Sequence, residues 1–285
     1  MSQKSELMFV VGFSRLAQKV TQRPDFKKYK KIVISRRSVK GISSKKIDTI
    51  KYKNRKKIKQ LISKYRSIIV LNTSANYGPR KFNACSMVDG NHLFPKKILE
   101  YIPRNKITKV INIDTALNKF ENYYSARKKK HFNWLRCYAL KRKISLINLV
   151  AESYYYLDGS PGSLIDYLYH CMQNSVVAKI RNGDHQRDFV SANQLFYAIK
   201  RSVDIRLRKG SLRKINICTG KLYKIKDIPK ILENKFNKTI EVEIETYPSK
   251  KMQQVFRSKS QYKLETFIKK GVKNLEEDMQ IRGTI

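Results

Sequence analysis

Acidic residues are what this chain is short of. It carries 22 Asp and Glu against 62 Lys and Arg, a formal net charge of +40 on 285 residues. Like charge at that density makes a compact chain repel itself, and a polyanionic partner relieves the repulsion. Nucleic acid is the first candidate partner and an anionic membrane surface the second. A codon-biased genome is the alternative that needs no partner. Cysteine is scarce too. Cys85, Cys137, Cys171 and Cys218 lie far apart, as do His92, His131, His170 and His185. A zinc site needs clustered ligands, and a disulfide framework needs denser cysteine in a shorter chain, so reduced thiols and no metal are expected. No apolar run approaches the ~20 residues of a membrane span. The run at Met8 is short and enters a folded-looking unit, so no secretory signal is expected in this chain. Apolar content is not among the shortages. The chain is 41% hydrophobic and 11% aromatic, which sets aside a disordered basic tail.

What the chain does have is alternation. Short apolar runs at Met8–Val11, Lys31–Arg37, Ser67–Ala75, Lys109–Ala116 and Lys143–Ser153 read as strands. Helical patterns lie between them, for example at Asn91–Ile102 and Arg127–Lys141. Strands alternating with helices imply a parallel sheet covered on both faces. The later part differs. NQLFYAIKRSV reads as a helix, KINICTG as a strand and turn, and IKDIPKILENKF as a helix. Thr239–Pro248 alternates apolar and acidic residues, as a strand with one wet face does. A smaller α/β lobe fits this second pattern.

The most basic stretch is Lys45–Arg66, with ten Lys and Arg and one acid, Asp48. Its Ile47, Ile50, Ile58, Leu61 and Ile62 suggest at least one amphipathic helix, and a solvated helix face is the plain reading. The polar face is more one-sided than solubility needs. With the neighbouring Arg23–Lys31 it makes a candidate phosphate-contacting surface of Lys27, Lys28, Lys30, Lys31, Lys51, Lys53, Arg55, Lys56, Lys57 and Lys59. Tyr29, Tyr52 and Tyr65 would be available there for stacking on bases.

Glycine is missing at one place where it matters. MFVVGFSRLAQKV, Met8–Val20, reads as a strand, a glycine turn and a helix. In a dinucleotide-binding unit this turn carries three glycines, which let the backbone approach a pyrophosphate and the helix pack on the strand. Gly12 holds the first place, and Arg15 and Gln18 stand at the second and third. A side chain at the second place occupies the space of the pyrophosphate.

Four further stretches follow in a telling order: IVLNTSANYG, INIDTALNKFENYYSARKKKHFNWL, GDHQRDFVSANQLFYAI and INICTGKLYKIKDIPKIL. With the glycine turn they resemble the extended short-chain dehydrogenase/reductase family, the nucleotide-sugar epimerases, dehydratases and reductases. The likeness runs over nearly the whole chain and is nearest to the sugar-nucleotide reductases. It implies an α/β fold: a Rossmann-like doubly wound parallel sheet over residues 1–152. Residues 153–285 are then mainly a smaller substrate-type lobe, with elements returning to the sheet. It assigns proton transfer to Tyr124, assisted by Lys128 four residues on and by Thr115, and it makes Lys128 the holder of the cofactor ribose. It gives Arg36 and Arg37 to a 2′-phosphate, so NADPH is the cofactor if the site is functional. Arg187 would face the nucleotide phosphates of a substrate, while Asp188 and Phe189 fix the local turn. The chain departs from the family at Asn72, where a histidine is usual, and at Tyr156-Leu157, where Gly-Pro is usual.

Fold does not carry function with it. The altered glycine turn and the charge together lead to a first expectation: a non-catalytic, repurposed relative without a bound cofactor. It would bind RNA electrostatically beside neighbouring proteins, as ribosomal RNA is bound in an organellar, mitochondrial ribosome. Its place would then be the mitochondrial matrix or another organelle, and otherwise the cytoplasm. The alternatives are an active NADPH-dependent sugar-nucleotide reductase or epimerase, and a structural subunit of a membrane-associated complex that retains a nucleotide.

Overall fold

The computed structural model describes residues 6–36, 47–77, 83–245 and 273–281. Each apolar run of the first half becomes a strand of one seven-stranded parallel sheet. The strands are β1 (Leu7–Val11), β2 (Lys30–Ser35), β3 (Ile47–Lys51), β4 (Ile68–Asn72), β5 (Ile107–Thr115), β6 (Ser145–Ala151) and a later strand, Leu212–Ile217. Reading across the sheet, that last strand is at one edge, followed by β6, β5, β4, β1, β2 and β3. β1 lies between β2 and β4, parallel to both, with Leu7 opposite Lys30 on one side and Ile68 on the other. Every residue of β1, β4 and β6 is buried. That is why these segments read as continuous apolar runs rather than alternating ones. The strand order reverses between β1 and β4, which is where a doubly wound sheet opens a crevice at the carboxyl ends of its strands.

The described chain falls into two compact units, residues 1–150 with 199–214, and residues 151–198 with 215–285. In the first, helices α1 (Arg15–Gln22), α2 (Arg55–Ser63), α3 (Ala84–Val88), α4 (Phe94–Tyr101) and α5 (Tyr123–Arg142) connect the strands. Phe9, Ile34, Ile58, Phe94, Leu135 and Leu146 are among the residues of its core. In the second unit, helices α6 (Leu164–Asn174) and α8 (Ile228–Phe236) pack around a core that includes Tyr155, Leu168, Phe189 and Leu232. Helix α7 (Ala192–Asp204) begins in the second unit and ends in the first. Its last turn is clasped within the first unit by Lys109 of β5. The Lys109 ammonium donates to the carbonyls of Ser202 (2.7 Å), Val203 (2.9 Å) and Ile205 (2.6 Å). A cation there satisfies the orphan carbonyls and complements the helix dipole. Burial nevertheless lowers the pKa of Lys109 to about 8.

The basic stretch departs from its sequence reading. Ile47 and Ile50, counted toward a helix, belong to β3, which pairs with β2 as the edge strand of the sheet. The helix starts only at Arg55, because the Asn54 side chain caps it by accepting from the Lys57 N–H at 3.1 Å. Ile58 and Ile62, four apart, are then the buried face of α2. The tyrosines near it are turned inward. Tyr29 is buried, and its hydroxyl donates to Asp204 at 3.2 Å. Tyr52 meets Phe94 edge-on, and Tyr65 packs on the core. None of the three is presented for stacking on a base. Lys31 must also leave the phosphate-contacting set, since its place in β2 leaves it only 3% exposed. Lys28 pairs with Asp204 at 3.3 Å.

Candidate functional site

The carboxyl ends of β1 and β4 meet at Gly12. Its φ of +97° favours glycine, and a Cβ there would sit 2.9 Å from the Ser74 backbone. The retained glycine is therefore demanded by the close approach of the chain that leaves β4. The Gly12 N–H donates to the Ile34 carbonyl at 2.9 Å, and the Thr73 N–H to Val11 at 2.9 Å, which ties the turn to both neighbouring strands. Ser14 caps α1 by accepting from the Ala17 N–H. Arg15 is the first residue of that helix and Gln18 lies one turn on, both half-buried. A helix N-terminus with an arginine on its first position is a donor set that suits a phosphate. The residues present thus fit a dinucleotide through charge, although the glycine-lined approach is gone. Arg36 follows β2 and is tied down: its guanidinium pairs with Asp89 at 3.2 Å and lies against the position of Gly90. Arg37 lies outside the described residues.

Helix α5 carries the candidate acid–base pair. It begins at Tyr123 because Asn122 and Ser125 form a capping box. Its buried residues are Tyr124, Ser125, Lys128, His131, Leu135 and Ala139, a stripe at helical spacing whose first four members are polar. Tyr124 and Lys128 thus share one face. The Tyr124 ring lies 4.3 Å, centroid to centroid, from that of Tyr77. Lys128 is 3% exposed, and its ammonium donates to the carbonyls of Ile113 (2.6 Å) and Ser74 (3.1 Å). Burial lowers its pKa to about 8, with Asp114 opposing the shift and Lys129 adding to it. Thr115 ends β5, two residues beyond Ile113, and its hydroxyl accepts from the Leu117 N–H at 3.2 Å.

Behind these residues runs a buried amide ladder that the sequence reading missed. Asn72 of β4 donates to Asn112 of β5 (2.7 Å), Asn112 to Asn148 of β6 (2.6 Å), and Asn148 to the Asp114 carboxylate (3.0 Å). The donors all point one way and the chain ends on a charge, an arrangement that polarises each bond in the same sense. The Asp114 carboxylate also accepts from the Thr115 N–H at 2.8 Å and faces Lys129 at 3.6 Å. At the other end, Asn72 contacts His131 Nε2 at 3.2 Å, and its carbonyl oxygen accepts from Ser74. Burial, with Lys128 and His92 nearby, lowers the His131 pKa well below the usual range, so the ring is neutral. Asn72 is thus a structural member of this ladder where the family usually has a histidine. The signal was available: VLN, VIN and LIN recur, one in each of three successive apolar runs.

In the second unit, Arg187 lies on a short strand, Gln186–Arg187, half-buried. It stands opposite Tyr223 of an antiparallel partner, Tyr223–Lys224. The next residue, Asp188, clasps a turn: its carboxylate accepts from the Thr219 N–H (2.8 Å), the Thr219 hydroxyl (2.7 Å) and the Gly220 N–H (2.7 Å). Phe189 is buried beside it. Tyr156 and Leu157, which stand where the resembled family has Gly-Pro, are held by their N–H groups on one oxygen of Asp166, both at 2.8 Å. Leu157 takes a φ of +53° in that loop. Among the described residues no group of His, Cys, Asp and Glu is placed to hold a metal.

No family model matches the sequence. A curated relative is CDP-abequose synthase of Salmonella typhimurium, 23% identical over 172 residues. That match spans 58% of this chain and 58% of the relative's own length. Among solved structures, MoeE5 in complex with UDP-glucuronic acid and NAD is similar with a TM-score of 0.74, at 13% identity over 96% of both chains. UDP-glucose 4-epimerase of Thermotoga maritima with UDP-glucose has a TM-score of 0.72, at 15% identity, over 86% of this chain and 87% of that one. UDP-N-acetylglucosamine 4-epimerase of Methanobrevibacter ruminantium gives 0.72 at 16% identity, over 99% and 97%. These neighbours include two UDP-sugar 4-epimerases and a protein solved with NAD and UDP-glucuronic acid, and the Rossmann-like architecture of this chain is theirs.

Proposed function

We propose that the protein binds a nicotinamide dinucleotide and a nucleotide sugar, and works as a sugar-nucleotide reductase or epimerase. The observation that carries this reading is the polar buried stripe of α5. It sets Tyr124 and Lys128 on one face at the carboxyl end of the sheet, with the Lys128 ammonium anchored beside the end of β5. A fold alone would be kept as well by leucines at those positions. The likeness to enzymes of nucleotide-sugar chemistry supports this reading over the ribonucleoprotein one.

In this reading the bound nicotinamide supplies hydride chemistry. The chain supplies position and protons. Tyr124 gives or takes the proton at the sugar oxygen. Lys128 keeps a positive charge behind it, and Thr115 adds a hydroxyl at the end of β5. Arg15 and the N-terminus of α1 are the phosphate contacts. Arg187 contributes a cation in the second unit. The test is titration of the protein with NADPH and NADH, followed by turnover assays with UDP- and CDP-sugars. Dinucleotide binding with turnover that Tyr124→Phe abolishes is the expected result. Absence of binding at millimolar dinucleotide overturns the reading.

A second reading, a fold kept without catalysis, is favoured by the same turn. Arg15 and Gln18 stand where glycines admit the pyrophosphate, and two of the three Lys128 donors are committed to backbone carbonyls. The binding titration separates the two.

A further inference from the structure

Ion pairs across the described surface are not evenly distributed. Lys179 pairs with Glu243 (2.9 Å), Lys226 with Asp184 (2.8 Å), Lys230 with Glu233 (3.7 Å) and Lys221 with Glu276. Residues 51–66 are different. They contain Lys51, Lys53, Arg55, Lys56, Lys57, Lys59, Lys64 and Arg66, with no acid. All eight are exposed. None has a carboxylate partner among the described residues. Arg55 instead lies 5.0 Å over the Tyr101 ring. A face kept only for solubility mixes both signs, because unrelieved like charge on one short helix costs stability.

From this segment we infer a nucleic-acid-binding strip, formed by the outer face of α2 and the turn that joins it to β3, which grips the phosphodiester backbone and does not read bases. The nine residues of α2 span about 13 Å. That is about four base steps at roughly 3.4 Å per step along one strand. The absence of base reading follows from the tyrosines: Tyr52 and Tyr65 spend their rings on the core, so the strip has charge without a stacking platform. An anionic bilayer is the poorer fit. Interfacial helices bury an apolar face in the acyl boundary, and the apolar face of α2, Ile58 and Ile62, is spent inside the protein. No large hydrophobic residue in 51–66 is exposed. The inference stands apart from the proposed enzyme function and neither needs nor excludes it.

The test uses the full chain and a fluorescein-labelled 20-nucleotide polyuridine RNA, with binding followed by anisotropy between 50 and 200 mM salt. The variant K53Q/K56Q/K57Q/K59Q removes four cations from the strip. The control K179Q/K221Q/K226Q/K230Q removes four cations that already have partners. With roughly 0.7 of salt slope per single-strand phosphate contact, the strip variant should lower the slope of log K against log salt by about 3. Its affinity at 100 mM salt should fall roughly a hundredfold, while the control stays within a few-fold of the unmodified chain. Equal losses in both variants would overturn the strip in favour of diffuse net charge. So would binding to phosphatidylserine vesicles without binding to RNA, an RNA affinity indifferent to salt, or no RNA binding at all. Trp134 fluorescence reports that each variant is folded. Should the fourfold variant not fold, K53Q/K57Q and K56Q/K59Q are each expected to lose about half that slope.

Discussion

Lys128 offers a measurement that depends on its burial and not on any assumed activity. Its pKa is about 8 in the folded chain, against an ordinary 10.5, because burial penalises the ammonium. Between those values the unfolded chain holds a proton that the folded chain has released, so stability rises with pH across the window. The gap of two and a half units corresponds to about 3 kcal/mol. Below pH 8 both states are protonated and the full cost of the buried charge is present. Lys128→Met removes that cost but leaves the Ser74 and Ile113 carbonyls without their donor, at about 1–3 kcal/mol each. Near pH 7 the two effects largely offset. Raising the pH then favours the wild type alone, by roughly 1.4 kcal/mol per unit from pH 8 until the gain saturates near 10.5. Denaturant unfolding of both proteins at pH 7, 8, 9 and 10 measures the difference, in which every other titrating group cancels. Trp134 is the single tryptophan and lies on α5 three residues after His131, so its fluorescence follows the unit that contains Lys128. A difference that stays flat from pH 7 to 10 would falsify the burial argument.

Other perturbations test other parts. Gly12→Ala forces a Cβ to 2.9 Å from the Ser74 backbone at a φ of +97°, and should cost about 2–3 kcal/mol in thermal or denaturant unfolding; a change under ~0.5 kcal/mol would refute the close approach. Asp188→Ala removes all three acceptor bonds to Thr219 and Gly220 and should destabilise the second unit by about 3 kcal/mol, with faster amide exchange at residues 219 and 220 as the local readout. Asn112→Leu cuts the amide ladder in its middle and takes from the buried Asn72 amide its acceptor on β5 and from the buried Asn148 carbonyl oxygen its donor. The loss of those two bonds should cost about 2–4 kcal/mol, and a neutral result would mean that the ladder contributes no net stability.

The sheet was legible because its strands are buried on both faces. A run such as IIVLN needs no alternation to be seen, and five such runs separated by helical patterns leave few topologies open. Lys45–Arg66 was harder. An isoleucine at 47, 50, 58 and 62 suits either period, and only the partner strand and the Asn54 cap decide where strand ends and helix begins. Charge was legible as a quantity but not as a distribution. Lys31 and Lys109 look like surface lysines in a basic chain, yet both are buried. The Tyr124–Lys128 spacing was visible as a motif, but its setting among Ser74, Ile113 and the amide ladder arises from strand residues 34 to 40 positions apart.

The ladder has one further consequence, for how the chain finds its pairing. Strands that read IIV, KVI and SLI present nearly interchangeable surfaces, and apolar contact alone distinguishes their neighbours poorly. Asn72 stands opposite Asn112 in the parallel register of β4 and β5. A slip of one residue there turns Asn112 to the other face of the sheet and places its amide among side chains with nothing to bond. The three asparagines act as index marks. They leave the correct alignment as the arrangement in which β4, β5 and β6 can all close without an orphaned amide.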